Sequence, residues 1–185
     1  MLIELLRLGH RLPRDERIST HVALVARAFG ASAITYTGQH DSGLEESVVR
    51  ICERWGGKTI SGKFSASYEK SAVSFIKSKK RAGFSIVHLT MYGMPLMEKI
   101  SAIRACEKIL IVVGSEQVPP EIYQLADYNI SVTNQPHSEV AALAIVLDRL
   151  MDGKELKTGS EGFDLDGEIS ITPSERGKIL KERPS

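Results

Sequence analysis

This chain has little of what usually betrays a protein's class. It holds 2 cysteines in 185 residues. Cys52 and Cys106 lie far apart, each inside a helical pattern, and read as small buried or half-buried thiols in a reducing cytosol rather than as a disulfide. No apolar run approaches the roughly 20 residues that a bilayer span needs. Glu4 and Arg7 interrupt what could otherwise resemble a secretory leader, so a cytoplasmic protein with no membrane partner is expected. The net charge of only +1 removes any global argument for nucleic acid and leaves local ones open. Gly114 does not begin a P-loop, and no Gly-x-Gly-x-x-Gly follows the first strand pattern. The 5 histidines and the cysteines lack metal-ligand spacing, so no metal is expected. No nucleophile elbow appears. Nucleotide hydrolysis, ordinary dinucleotide binding, zinc chemistry and elbow-type hydrolysis all lose their usual signatures.

What is present is alternation. Residues 2–8, 33–37, 84–90, 108–113 and 128–132 read as strands, with a short edge strand at 59–60. Helical patterns fill the intervals. One runs to Phe29 from a cap at Ser19 or Thr20, and another spans 42–55 behind the capping box Ser42-Gly-Leu-Glu45. Others cover 68–81, from Pro95 to about Cys106, 120–126 and 138–151. Such alternation predicts right-handed crossovers and an α/β fold, a mostly parallel sheet with helices on both faces. The main domain is read as residues 1–152. A β-hairpin annex is expected at 153–172, with strands at 154–158 and 168–171, followed by a charged tail at 173–185.

Ligands of such sheets sit outside the carboxyl ends of the strands, and four unusual segments fall there. Arg11, Arg14 and Arg17 recur three residues apart in a stretch that reads as non-helical, which suits anion binding better than core packing. Gly114 closes a strand with a residue that lets a ligand approach the backbone. The polar head 134–138 turns abruptly into a small-residue helix. The fourth segment is His88-Leu-Thr-Met-Tyr-Gly93. By contrast, Lys77, Lys79, Lys80 and Arg81 read as a solvated helix end favoured by the dipole.

Three stretches resemble one family: Leu6-Arg-Leu-Gly-His-Arg11 with Arg14, Arg17 and the Thr20–Ala31 helix; His88–Gly93; and Asn134-Gln-Pro-His-Ser-Glu-Val-Ala-Ala-Leu143. They resemble the archaeal tRNA cytidine(56) 2′-O-methyltransferases of the SPOUT superfamily of knotted methyltransferases. The resemblance implies a deep trefoil knot near the C-terminus and a homodimer. It also implies a pocket for S-adenosylmethionine (AdoMet). Contacts to AdoMet would come from Leu89, Thr90 and Tyr92; from Gly114, Ser115, Glu116, Gln117 and Val118; and from Ile130, Val132, Asn134, Gln135 and His137. The substrate would be tRNA, gripped by Arg11, Arg14 and His21.

The chain departs from the broader superfamily at two places. Related ribose methyltransferases carry an Asn and, six residues later, an Arg, where this chain has residues near Ile18 and Leu24. The arginine function is therefore assigned to Arg17 or Arg14. A Ser-Leu-Asn type stretch is replaced by Gln135-Pro-His-Ser138. Three proton acceptors stay open: a phosphate oxygen, His21 or His137. Competing readings are methylation of a different RNA site, a non-catalytic RNA-binding dimer and a flavodoxin-like module.

Overall fold

The structure is a computed structural model and describes residues 1–114, 117–157 and 166–183. Six strands form one sheet: β1 (Leu2–His10), β2 (Ala33–Gly38), β5 (Ser65–Tyr68), β6 (Ser85–Pro95), β7 (Lys108–Val113) and β8 (Tyr128–Ser131). Their order is β5-β2-β1-β7-β6-β8, and every pairing is parallel. Two short strands, β3 (Lys58–Thr59) and β4 (Gly62–Lys63), pair separately.

Period-2 geometry explains why the central strands are almost wholly apolar. On β1 and β7, Ile3, Leu5, Ile109, Ile111 and Val113 enter one core, while Leu6, Leu8, Leu110 and Val112 enter the other. The first core is covered by α1 (Glu16–Ala28), α2 (Ser42–Trp55), α4 (Leu96–Arg104) and α6 (Glu139–Met151). The second lies under α3 (Ala72–Arg81) and α5 (Pro120–Leu125). The sheet with helices on both faces is as expected.

Four expected boundaries move, each for a physical reason. Helix α1 begins at Glu16, because both expected caps are otherwise engaged. Ser19 Oγ lies 2.7 Å from His10 Nδ1, and Thr20 Oγ1 donates to Glu16 O at 2.9 Å. Arg17 therefore stands on the first helical turn, outside the loop assigned to it. Asp41, not Ser42, caps α2 by accepting from Leu44 N at 3.1 Å. Tyr68, read as the start of a helix, instead ends the edge strand β5, whose residues 65–67 carried no assignment. Ser71 starts the following helix by accepting from Ser74 N at 3.3 Å.

The annex is also redrawn. Where the first strand of the annex was expected, Lys154–Leu156 form a 3-10 turn, and Thr158 lies outside the described residues. The hairpin pairs β9 (Ile169–Thr172) with β10 (Ile179–Glu182) in antiparallel fashion. The stretch expected to be a charged tail thus supplies its second strand. Its charges mask a turn signal in which Gly177 adopts a φ of 105°. Gly167 seats the annex against the end of α2, where a Cβ would fall 2.3 Å from Gly56 N and Trp55 C.

Candidate active site

All four singled-out segments meet at the carboxyl edge. They border one cavity of about 560 Å³, within the range of roughly 300–1,000 Å³ that holds small ligands.

Strand β6 builds one wall by leaving the sheet and returning. Leu89 and Met94 both register with Ile130 of β8, so Thr90–Gly93 bulge out between them. Gly93 permits this, because a Cβ there would fall 2.5 Å from both Asn129 C and Ile130 N. Asn134 fastens the bulge from the opposite loop, donating through Nδ2 to Met91 O at 2.7 Å and to Gly93 O at 3.2 Å.

The loop after β1 builds another wall. Asp15 Oδ2 accepts from Arg11 N at 3.1 Å and from Arg11 Nε at 3.2 Å, while Asp15 N donates to Arg11 O at 2.7 Å. Burial pushes the Asp15 carboxyl up. The Arg11 hydrogen bond and the charges of Arg7 and Arg11 outweigh it and hold the group below the usual carboxylate range. Arg11 and Arg14 border the cavity. Arg17 and His21 are exposed on α1 and do not.

Of the residues expected to hold AdoMet, Leu89, Thr90, Tyr92, Gly114, Val118, Ile130, Val132 and His137 border the cavity. Gln117 and Gln135 do not, and Asn134 acts from behind as a tether. Ser115 and Glu116 lie outside the described residues.

Sequence reasoning assigned no site role to five polar residues of the wall: Arg7, Asp15, His88, Tyr123 and Glu139. Arg7 is only 1% exposed and donates through Nη2 to Glu139 Oε1 at 3.1 Å. Among the described residues, Arg7 Nε, Arg7 Nη1 and Glu139 Oε2 have no hydrogen-bond partner. Burial raises the Glu139 pKa, Arg7's charge and hydrogen bond oppose the rise, and Asp15 adds to it. The available signal was a charge on the inward face of an apolar strand, where an ionised group is costly unless partnered.

His88 sits on the opposite face of the sheet, edge-on to Tyr123 at 4.7 Å between ring centroids. Asn129 Nδ2 donates to Tyr123 O at 2.9 Å, which turns its Oδ1 toward His88. That oxygen accepts from His88 Nδ1–H at 2.8 Å, leaving Nε2 with a free lone pair. Burial lowers the His88 pKa, and the Asn129 bond only partly restores it. The unfolded chain therefore binds this proton more readily than the native one. Stability from His88 is complete above roughly pH 6.5 and erodes as pH falls below that value. Glu139 acts oppositely, so the test is a difference. The midpoint of chemical denaturation should fall more steeply below pH 6.5 in the wild type than in His88→Gln.

Among the described residues no group of histidines, cysteines and carboxylates is arranged to hold a metal ion, and no helix is long and apolar enough to cross a membrane.

Comparison with known proteins gives a consistent outcome. The model of the family described as tRNA ribose 2′-O-methyltransferase, aTrm56, matches residues 55–181. A tRNA (cytidine(56)-2′-O)-methyltransferase of Methanocaldococcus jannaschii is 50% identical over 97% of this chain and 96% of its own length. The protein of that name from Archaeoglobus fulgidus is 50% identical over 96% of this chain and 97% of its own. Solved structures share the fold at low identity. A. aeolicus TrmH/SpoU tRNA modifying enzyme has a TM-score of 0.57 at 17% identity, covering 83% of this chain and 76% of that one. The SpoU methyltransferase AviRb from Streptomyces viridochromogenes, in complex with AdoMet, has a TM-score of 0.57 at 15% identity, covering 82% and 57%.

Proposed function

The chain belongs to the tRNA ribose 2′-O-methyltransferase family, and from that premise we propose that its cavity holds AdoMet beside the 2′-hydroxyl of cytidine 56 in tRNA. One observation carries the reading: the cavity joins an apolar half to a rim bearing Arg11 and Arg14. AdoMet fits the residues present. Leu89, Val113, Val118 and Ile130 offer an apolar surface for a nucleoside, and Gly114 leaves room for Val118, whose Cγ2 would lie 2.3 Å from a Cβ there. Bound there, AdoMet supplies a methyl group on a sulfonium, which is already a good leaving group.

The protein's task is then alignment and charge management. Holding the ribose in line with the methyl can contribute about 7–11 kcal/mol. Arg14, which borders the cavity as Arg17 does not, takes the role of gripping the adjacent phosphate and stabilising negative charge on the hydroxyl oxygen. A guanidinium, with a pKa above about 12, is a poor proton acceptor. Asn134 holds the bulge of β6 in shape for the nucleoside. Asn134→Ala should weaken AdoMet binding about tenfold by calorimetry, because both bonds to the bulge are lost.

Three further parts of the reading rest on the family. The chain threads into a trefoil knot, supported by the Asn134 tether between the two loops that would form it. Two copies pair, which would cover exposed apolar side chains such as Tyr92, 75% exposed, and Met97, 67% exposed. The enzyme works in the cytoplasm on tRNA. Light scattering of the purified protein reads the dimer.

The functional test is transfer of labelled methyl from AdoMet into unmodified tRNA, followed by nuclease digestion. The label should appear in a 2′-O-methylcytidine at position 56. Label in a base, at another position, or nowhere at all would overturn the reading.

A further inference from the structure

The arginine rim can hold a phosphate and stabilise an oxyanion, but a phosphodiester oxygen is a far weaker base than a carboxylate or imidazole, and His21 lies off the cavity wall. Four cavity groups could in principle accept the hydroxyl proton. Asp15 is occupied by Arg11 and held below the ordinary carboxylate range. His88 faces Tyr123 on the far side of the sheet. His137 is exposed in its loop, with Nδ1 3.2 Å from Ser138 O. The fourth is Glu139.

Glu139 is placed differently from the rest. It opens α6, which packs against α1, and both helices begin at the carboxyl edge of the sheet. The loop carrying Arg11 and Arg14 leads directly into α1, so Glu139 shares its wall with the residues that would grip the nucleotide. Its side chain is 20% exposed. Oε1 accepts from the buried Arg7, and Oε2, itself buried in the free protein, has no partner among the described residues. The charged groups around it are Arg7 from β1; Arg11, Arg14 and Asp15 from the following loop; and His137 from its own loop.

We propose that Glu139 is the general base that takes the ribose 2′-hydroxyl proton, with Arg7 as the positioning residue that holds its carboxylate. The proposal rests on the reading of the cavity as a methyl-transfer site. The hydroxyl proton passes to a Glu139 oxygen while an electron pair of the hydroxyl oxygen forms the new O–CH3 bond. The C–S pair stays on sulfur, leaving a neutral thioether, and protonated Glu139 then returns its proton to water. Burial keeps the carboxylate more basic than an ordinary glutamate, which suits proton transfer near neutral pH. Arg7 fixes one oxygen and limits that rise.

Glu139→Gln keeps the shape of the side chain and removes its basicity. Single-turnover transfer at saturating AdoMet and tRNA should fall about 10²–10⁴-fold, while AdoMet affinity by calorimetry stays within about threefold, roughly 0.65 kcal/mol. Formate should restore transfer to Glu139→Ala and not to Glu139→Gln, a rescue that a structural role would not show. In the free enzyme, carboxyl infrared titration should find a group protonating above the ordinary glutamate range, absent from Glu139→Gln. Glu139→Asp keeps a negative charge beside Arg7 and serves as the second variant if the neutral one fails to fold. It should still lose about tenfold in transfer or more, because the shorter carboxylate is withdrawn.

Near wild-type transfer by either Gln or Asp variant overturns the proposal. So does a Glu139→Gln enzyme that binds AdoMet poorly yet turns over normally at saturation, which would make Glu139 a holder of the donor's ammonium. Absence of ribose methylation by the wild type would instead defeat the functional reading itself.

Discussion

Replacing Arg14 with Ala should lower methyl transfer into tRNA about 10²–10³-fold while AdoMet affinity stays near wild type. That is the scale of loss when one preorganised donor to a developing oxyanion is removed. Arg14 stands on the cavity rim at the end of the loop pinned by the Arg11–Asp15 bonds, so its reach is set by a braced segment. Arg17→Ala is the matched control. Exposed on the first turn of α1 and off the cavity wall, Arg17 should cost less than about tenfold, seen chiefly as weaker tRNA binding that fades at high salt. Rapid-quench transfer and tRNA filter binding on both variants separate the two roles. Equal losses from the two would put the catalytic guanidinium elsewhere.

Gly93→Ala should be the most damaging single methyl group near the site. The added Cβ would lie 2.5 Å from backbone atoms of Asn129 and Ile130, and backbone cannot swing aside as a side-chain end can. Either β8 or the Thr90–Gly93 bulge must move, at a cost of about 1–3 kcal/mol or more. For a chain of this size that corresponds to a melting temperature lower by roughly 2–12 °C. If the bulge gives way, the wall formed by Thr90 and Tyr92 and the Asn134 tether are lost together, and AdoMet affinity should fall about 10²-fold. Calorimetry and a thermal melt of the same sample read both effects. Unchanged affinity would mean that this wall does not touch AdoMet.

Much of this architecture was legible in the residues. The runs at 108–113 and 2–8 are apolar because both of their faces are buried, and that pattern alone implies a central parallel sheet. Loops at strand ends were legible because Gly114 and residues 134–138 cannot continue a strand. What escaped were features decided by partners remote in sequence. Ser19 looks like a helix cap until His10 claims its hydroxyl. Tyr68 looks like a helix start, and residues 65–67 like loop, until β2 offers its edge. Arg7 and Glu139 are 132 positions apart, and neither carries a local motif that announces the other. The second hairpin strand was hidden because charged residues on an exposed ribbon resemble those of an unstructured end.

The excursion of β6 has a consequence for how a ligand is received. Its two ends re-enter the same ladder opposite one residue, Ile130, so the span between them is fastened on both sides before anything arrives. Little freedom remains to be surrendered on capture, in contrast to a lid that must fold over its guest. Recognition here should resemble a key entering a finished lock, with fast association and a small entropic penalty.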